Sequence, residues 1–168
     1  MREVPVRQPR QTNSGWVVAV IVVGLAGCCR TPDTTADVAA VEAASIAWKQ
    51  TFNAGDPAAV TALYADDAVL SAPGRPVVRG KAAIGVYFLK TAAEFAGAGL
   101  SVADAPMAVA VASGDLGFQW KTYTISDKAG TVVGSGQLLT LFRRQAGKWL
   151  IIGDTWNSNT APPPPSPR

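Results

Sequence analysis

Two adjacent runs of β-forming residues near the C-terminus, within residues 136–157, place the strongest constraint on the fold of this chain. Residues 138–142 form the first run and Lys148–Trp156 the second, and both are rich in aliphatic, aromatic and β-branched side chains. The residues between them, 143–147, supply the polar side chains and the glycine that a hairpin loop needs. The pattern therefore predicts an antiparallel hairpin on which the rest of the domain packs.

One carboxylate interrupts the second of these strands. Because side chains alternate along a strand, one face is expected to carry Leu150, Ile152, Asp154 and Trp156, and the other Trp149, Ile151, Gly153 and Thr155. Both faces are mostly apolar, so both are expected to be covered. Asp154 is the exception, because a carboxylate among apolar neighbours must be hydrogen-bonded, paired or directed into a cavity.

Residues 1–27 have the organisation of a bacterial export signal. Three arginines precede an apolar run at residues 16–26, which is too short to span a bilayer core of about 30 Å as a helix. The run ends in Leu25-Ala26-Gly27-Cys28, which resembles the lipobox of bacterial lipoproteins. That resemblance implies cleavage before Cys28 and acyl chains such as palmitate on the protein; an ordinary signal peptide is the alternative. It places the domain outside the cytoplasm at the bacterial cell envelope, on the periplasmic face of the outer membrane in a Gram-negative host.

The remaining chain is expected to form one domain with short flanking segments. Residues 28–35 are predicted to be a tether, residues 36–158 the folded domain, and residues 159–168 a proline-rich tail outside the fold. Residues 1–27 hold three of the 15 Lys and Arg residues and one of the 12 acidic residues, so the rest carries a net charge of about +1. Without a basic patch, no nucleic-acid partner is expected, and Arg143-Arg144 is interpreted as part of a solvated turn.

The order of predicted elements indicates an α+β domain. Helices are predicted at residues 37–53, 57–64 and 80–94, with short strands at 68–71 and 77–78. From residue 100 onward the apolar period changes to two, which predicts long antiparallel strands. In the strand at residues 116–125, one face holds Phe118, Trp120, Thr122 and Thr124. We therefore expect a strongly curved antiparallel sheet wrapped around three N-terminal helices.

Several short motifs occur in a familiar order. They are Asn53-Ala54-Gly55-Asp56, then Leu63-Tyr64-Ala65-Asp66-Asp67, Arg79-Gly80, Gly114-Asp115 and Gly147-Lys148-Trp149. Across about residues 36–158 the set resembles the SnoaL-like, ketosteroid-isomerase-like branch of the nuclear transport factor 2-like superfamily. The resemblance implies a cone-shaped α+β barrel with a hydrophobic cavity at its open end. It also implies homodimers that form through the outer face of the sheet.

The resemblance does not carry the isomerase activity to this chain. The positions that match the catalytic groups of the ketosteroid isomerases are Ser71, Trp48 and Leu139, and none keeps the required acid or base. On the superfamily's geometry, the cavity is expected to be lined by Trp48, Ser71, Tyr87, Phe88, Phe118, Trp120, Leu139, Asp154 and Trp156. Such an apolar, aromatic cavity with few polar groups is typical of a small-ligand site.

Asp154 is the candidate catalytic residue of that cavity. Desolvation beside tryptophans should raise its pKa and make it a general acid or base. The structural alternative is that it accepts hydrogen bonds from an indole N–H or a backbone amide, while Asp66-Asp67 is interpreted as a cap and turn. The chain has no histidine, which excludes Ser-His-Asp triads, Cys-His pairs and histidine metal sites. No glycine-rich phosphate loop is present, so no cofactor or metal is expected.

Three functions are compatible with these features. The first is a non-catalytic, membrane-anchored module that binds a small hydrophobic or amphipathic ligand. The second is a cofactor-free isomerase, cyclase or hydrolase that uses Asp154 as acid/base. The third is a dimerisation or assembly unit. A filled domain interior would favour assembly, an open apolar cavity would favour binding, and an open cavity that exposes Asp154 would keep catalysis possible.

Overall fold

The computed structural model describes residues 34–159, apart from the side chains of residues 105–108. The predicted export signal, Cys28 and the proline-rich tail beyond residue 159 lie outside the described residues. The elements in chain order are α1 (Thr34–Asn53), α2 (Pro57–Ala62), β1 (Tyr64–Ser71), β2 (Val78–Arg79), α3 (Lys81–Ala98), β3 (Ser101–Ser113), β4 (Leu116–Ser126), β5 (Val132–Gln145) and β6 (Lys148–Trp156).

The helices follow their sequence signals, although their ends differ from the predicted ones. α1 already includes Thr34, inside the segment expected to be a tether, and Asp37 in its first turn complements the helix dipole. Asp56 caps α2 by accepting a hydrogen bond from the Ala59 amide at 2.9 Å. α3 continues to Ala98 and ends at Gly99, whose φ of 66° is the left-handed conformation that glycine favours. Within residues 34–159, none of the helices has the length and apolar composition needed to cross a membrane.

The six strands of the described part of the chain form one sheet in the order β2-β1-β6-β5-β4-β3. Neighbouring strands are antiparallel except β1 and β6, which run parallel. The α+β class is therefore confirmed, but two details of the expectation are wrong. The sheet is mixed instead of wholly antiparallel. Among the described residues it is also open instead of closed into a barrel, because β2 and β3 form separate edges.

The C-terminal hairpin has a tighter turn than expected. β5 extends to Gln145, and the turn consists of Ala146 and Gly147 with φ of 48° and 78°. Positive φ at both central residues matches the type I′ turn, whose twist suits a two-residue hairpin.

Both arginines expected in the turn lie instead on β5 and form ion pairs. Arg143 contacts Asp67 at 2.6 Å, and Arg144 contacts Asp37 at 2.7 Å and Asp115 at 3.0 Å. The solvated-turn interpretation of the arginine pair is therefore wrong. Asp66 and Asp67 likewise lie within β1, at an irregularity in its pairing with β6, and do not cap α2.

The hydrophobic core lies between the helices and the inner face of the sheet. Its largest fully buried side chains are Tyr64, Phe88, Phe142, Leu70, Ile84, Ile151, Val41 and Val60. The outer face of the sheet also carries apolar residues, from β3, β4 and β5. We call this set the outer apolar patch: Val109, Val111, Phe118, Trp120, Leu139 and Leu141, which face each other across the strands and are exposed except for the partly buried Leu139.

Candidate functional site

A cavity of about 320 Å³ opens between α1, α3 and the inner face of the sheet. Most of its wall is aromatic or aliphatic, and the helix side is lined by Trp48, Phe52, Tyr87, Phe88 and Phe95. The sheet side adds polar groups from four strands: Asp104, Lys121, Tyr123, Thr140 and Asp154. A mainly apolar cavity with a few polar groups has the character of a small-ligand site.

A β-bulge in β6 turns Asp154 toward this cavity. In the pairing with β5, Ile151 lies opposite Phe142 and Gly153 opposite Leu141, so Ile152 has no partner. The extra residue reverses the alternation, and Ile151 and Asp154 therefore both face inward. The strict alternation expected from the sequence, with Ile151 and Asp154 on opposite faces, is wrong for this reason.

Asp154 is a buried carboxyl group held by two hydroxyl groups. Only 8% of the residue is exposed, and its Oδ2 accepts a hydrogen bond from the Tyr64 hydroxyl at 2.6 Å. Its Oδ1 accepts a second from Thr140 at 3.1 Å. Burial raises the pKa of Asp154 from 3.8 to about 6, against the opposing effects of these hydrogen bonds and of the Lys121 charge. The carboxyl group can therefore take up and release a proton near neutral pH.

Tyr64 connects Asp154 to the first helix. The indole Nε1 of Trp48 donates to the Tyr64 hydroxyl oxygen at 3.0 Å, and that hydroxyl donates to Asp154. Burial, together with the neighbouring Asp154 carboxylate, raises the pKa of Tyr64 well above its usual value. Tyr64 therefore stays protonated and fixes the carboxyl orientation. The indole of Trp48 acts on Asp154 through this tyrosine and does not contact it directly.

A second polar cluster lies in the wall of the same cavity. The buried Lys121 ammonium donates to the Ser45 hydroxyl at 2.6 Å and contacts Asp104 at 2.9 Å. Asp104 also pairs with Lys49 at 2.7 Å. Burial acts to raise the pKa of Asp104, but the two lysines outweigh it and bring the pKa below its usual value. The carboxylate is therefore ionised and shared by two cations.

Five of the nine side chains predicted to line the cavity do so: Trp48, Tyr87, Phe88, Asp154 and Trp156. The other four do not. Phe118 and Trp120 lie in the outer apolar patch, 37% and 51% exposed, and Leu139 lies opposite Trp120 on the same face. Ser71 lies opposite Thr155, and Ala72 lines the cavity in its place.

The error on β4 has a physical cause. Both of its faces carry large side chains, and the aromatic face was expected to point inward. Instead the face with Gln119, Lys121 and Tyr123 is buried, because Lys121 and Tyr123 have hydrogen-bond partners on that side. No local sequence signal identified Lys121 as a cavity residue. Tyr64 belongs to a recognised motif but was expected at the end of a helix.

Among the described residues, no group of three carboxylate or thiol side chains could hold a metal ion.

Comparison with known proteins shows a match to one protein family and a fold shared with several solved structures. The SnoaL-like domain family matches residues 46–151. A ketosteroid isomerase-like protein from Erwinia carotovora atroseptica is 30% identical, with 74% of this chain and 98% of that chain covered and a TM-score of 0.59.

Two other structures have the same fold at lower identity. An NTF2-like protein with a cystatin-like fold from Novosphingobium aromaticivorans is 18% identical, covers 74% of this chain and 83% of its own, and has a TM-score of 0.67. An NTF2-like protein of unknown function from Pseudomonas putida is 21% identical, covers 74% and 87%, and also has a TM-score of 0.67. A search of curated protein sequences gave no match.

Proposed function

Since the chain belongs to the SnoaL-like domain family, we propose that it is a lipid-anchored envelope protein whose cavity binds a small hydrophobic or amphipathic molecule. The observation that carries the binding function is the open cavity of about 320 Å³ with an aromatic wall. This volume lies at the lower end of the range of ligand sites in proteins. A domain that served assembly alone would have no reason to leave that space unfilled, because protein interiors are otherwise close-packed.

The location at the cell envelope rests on the sequence Leu25-Ala26-Gly27-Cys28, with the lipid on Cys28 as the membrane contact. Under this proposal the protein presents its cavity outside the cytoplasm, next to a bilayer that contains amphipathic molecules.

The protein is also proposed to act as a homodimer. The support is the outer apolar patch, where Trp120 and Val109 are 51% and 53% exposed on adjacent strands. Contiguous apolar side chains on a sheet face are costly in water, and a second copy of the same face would cover them.

Native mass spectrometry of the protein purified from its host tests the binding function. We expect a co-purifying small molecule. Thr91→Trp should displace it, because Thr91 lines the cavity. Ala93→Trp on the same helix is the matched control, because Ala93 is exposed and outside the cavity wall. A ligand-free wild-type protein, or equal occupancy in both variants, would contradict the proposal.

A second candidate function is acid/base catalysis by Asp154 on the bound molecule. The observation in its favour is the pKa of about 6, which suits proton transfer near neutral pH, on a carboxyl group in the cavity wall. The test is conversion of the co-purifying molecule by the wild type and by Asp154→Asn. The catalytic function requires that the variant still binds this molecule and no longer converts it; equal conversion would exclude Asp154 as the catalyst.

A further inference from the structure

The ammonium group of Lys121 is an unusual feature of the cavity wall. Lys121 lies on the inner face of β4 with 5% of the residue exposed, and it lines the same cavity as Asp154. A buried lysine is costly unless its charge is paired and its N–H groups have acceptors. The side chains described for residues 34–159 supply some of these partners, but not all of them.

Two of the three N–H groups of Lys121 have acceptors, the Ser45 hydroxyl at 2.6 Å and Asp104 at 2.9 Å. Among the side chains described for residues 34–159, no acceptor for a third hydrogen bond is present. Asp104 is not exclusive to Lys121, because it also pairs with Lys49 at 2.7 Å.

The surroundings favour a particular ligand chemistry. Aromatic side chains, including Trp48 and Phe88, form much of the remaining wall of the same cavity. A molecule with an apolar body and one anionic oxygen group could pack against the aromatic wall and accept the third N–H in a charge-assisted hydrogen bond.

We propose that Lys121 is the anion-recognition residue of the cavity, and that the ligand is an apolar monocarboxylate. This inference rests on the proposed binding function and specifies its ligand class. Asp104 and Ser45 act as positioning residues, because they hold the ammonium group from the side of α1 and β3. The ligand carboxylate is the third acceptor.

Calorimetric titration of the full-length chain with naphthylacetate and with the uncharged naphthylacetamide tests this inference. The two probes have the same aromatic body and nearly the same shape. We expect naphthylacetate to bind roughly tenfold more tightly or better, since hydrogen bonds to charged groups are the stronger kind. Lys121→Met keeps much of the aliphatic stem and should reduce this preference to about twofold or less, with little effect on the amide.

Lys49→Met is the matched control, because it removes the other partner of Asp104 from outside the cavity wall. It should retain the preference for naphthylacetate. Equal binding of the two probes by the wild type would overturn the inference and leave the proposed binding function intact, whether or not the variants fold. A preference that persists in Lys121→Met would also overturn it and assign recognition to Arg75, the other cation of the wall. Absence of binding by either probe would count against both the inference and the binding function.

Discussion

Replacement of Asp154 by asparagine tests whether the buried carboxyl group destabilises the folded protein when it is ionised. Burial raises the pKa of Asp154 from 3.8 to about 6, so the folded protein keeps a proton that the unfolded chain has already released. Between about pH 4 and pH 6 the free energy of unfolding therefore falls as the pH rises, and above about pH 6 the loss is complete. At 1.36 kcal/mol per pKa unit, the total decrease in the free energy of unfolding is about 3 kcal/mol.

Asparagine resembles the protonated acid, because its amide oxygen can accept from Tyr64 and its N–H can donate to the Thr140 hydroxyl. We expect Asp154→Asn to melt roughly 10 °C above the wild type at pH 8, and the difference to shrink to about half at pH 5. Thermal unfolding followed by circular dichroism at the two pH values measures this.

Asp67→Asn is the matched control on β1. Asp67 is exposed, and its hydrogen bond from Arg143 lowers its pKa, so its stabilising effect is present at neutral pH and disappears as the pH falls. The stabilising effect of Asp67 therefore changes with pH in the opposite direction to the effect of Asp154. An Asp154→Asn difference that is equal at pH 5 and pH 8 would refute the reasoning. So would an NMR titration that gives Asp154 a pKa below about 3.9, and that result would also exclude its role as a general acid.

Three further predictions concern other parts of the chain. Cys28→Ser should abolish labelling with a fatty-acid analogue and release the protein from the membrane fraction; continued labelling would contradict the lipobox interpretation. Trp120→Lys in the outer apolar patch should convert a dimer to a monomer in light scattering, whereas Val86→Lys, an exposed site on α3, should leave it dimeric; a monomeric wild type at micromolar concentration would refute dimerisation. Gln119→Met should raise the free energy of unfolding by about 1–2 kcal/mol, because the Gln119 Oε1 is buried without a hydrogen-bond partner among the described residues. Gln50→Met, at an exposed site on α1, is its control, and equal chemical denaturation midpoints for the two variants would indicate that the oxygen has a partner such as a buried water.

The sequence determined those features whose signals are local. The Asp56-Pro57 pair marked the start of α2, and β6 was predicted with the bounds Lys148–Trp156 that the structure has. Capping, helical periodicity and turn residues act over a few positions, so they can be recognised without knowing what lies elsewhere. The order of the elements likewise predicted the α+β class, and the family resemblance predicted a cavity with Asp154 in its wall.

The tertiary structure decided which faces point inward and what the polar groups contact. A bulge at Ile152 and a shifted pairing in β1 changed the alternation of their strands, and such insertions are set by the pairing with neighbouring strands. On β4, both faces hold large side chains, so composition could not assign the inner one. Lys121 can be buried there only because α1 and β3 bring Ser45 and Asp104 to it. The contact between Tyr64 and Asp154 joins residues 90 positions apart, and no local pattern encodes it. Hydrogen bonds and ion pairs over such separations exist only once the chain has folded, and in this protein they fix the chemistry of the cavity.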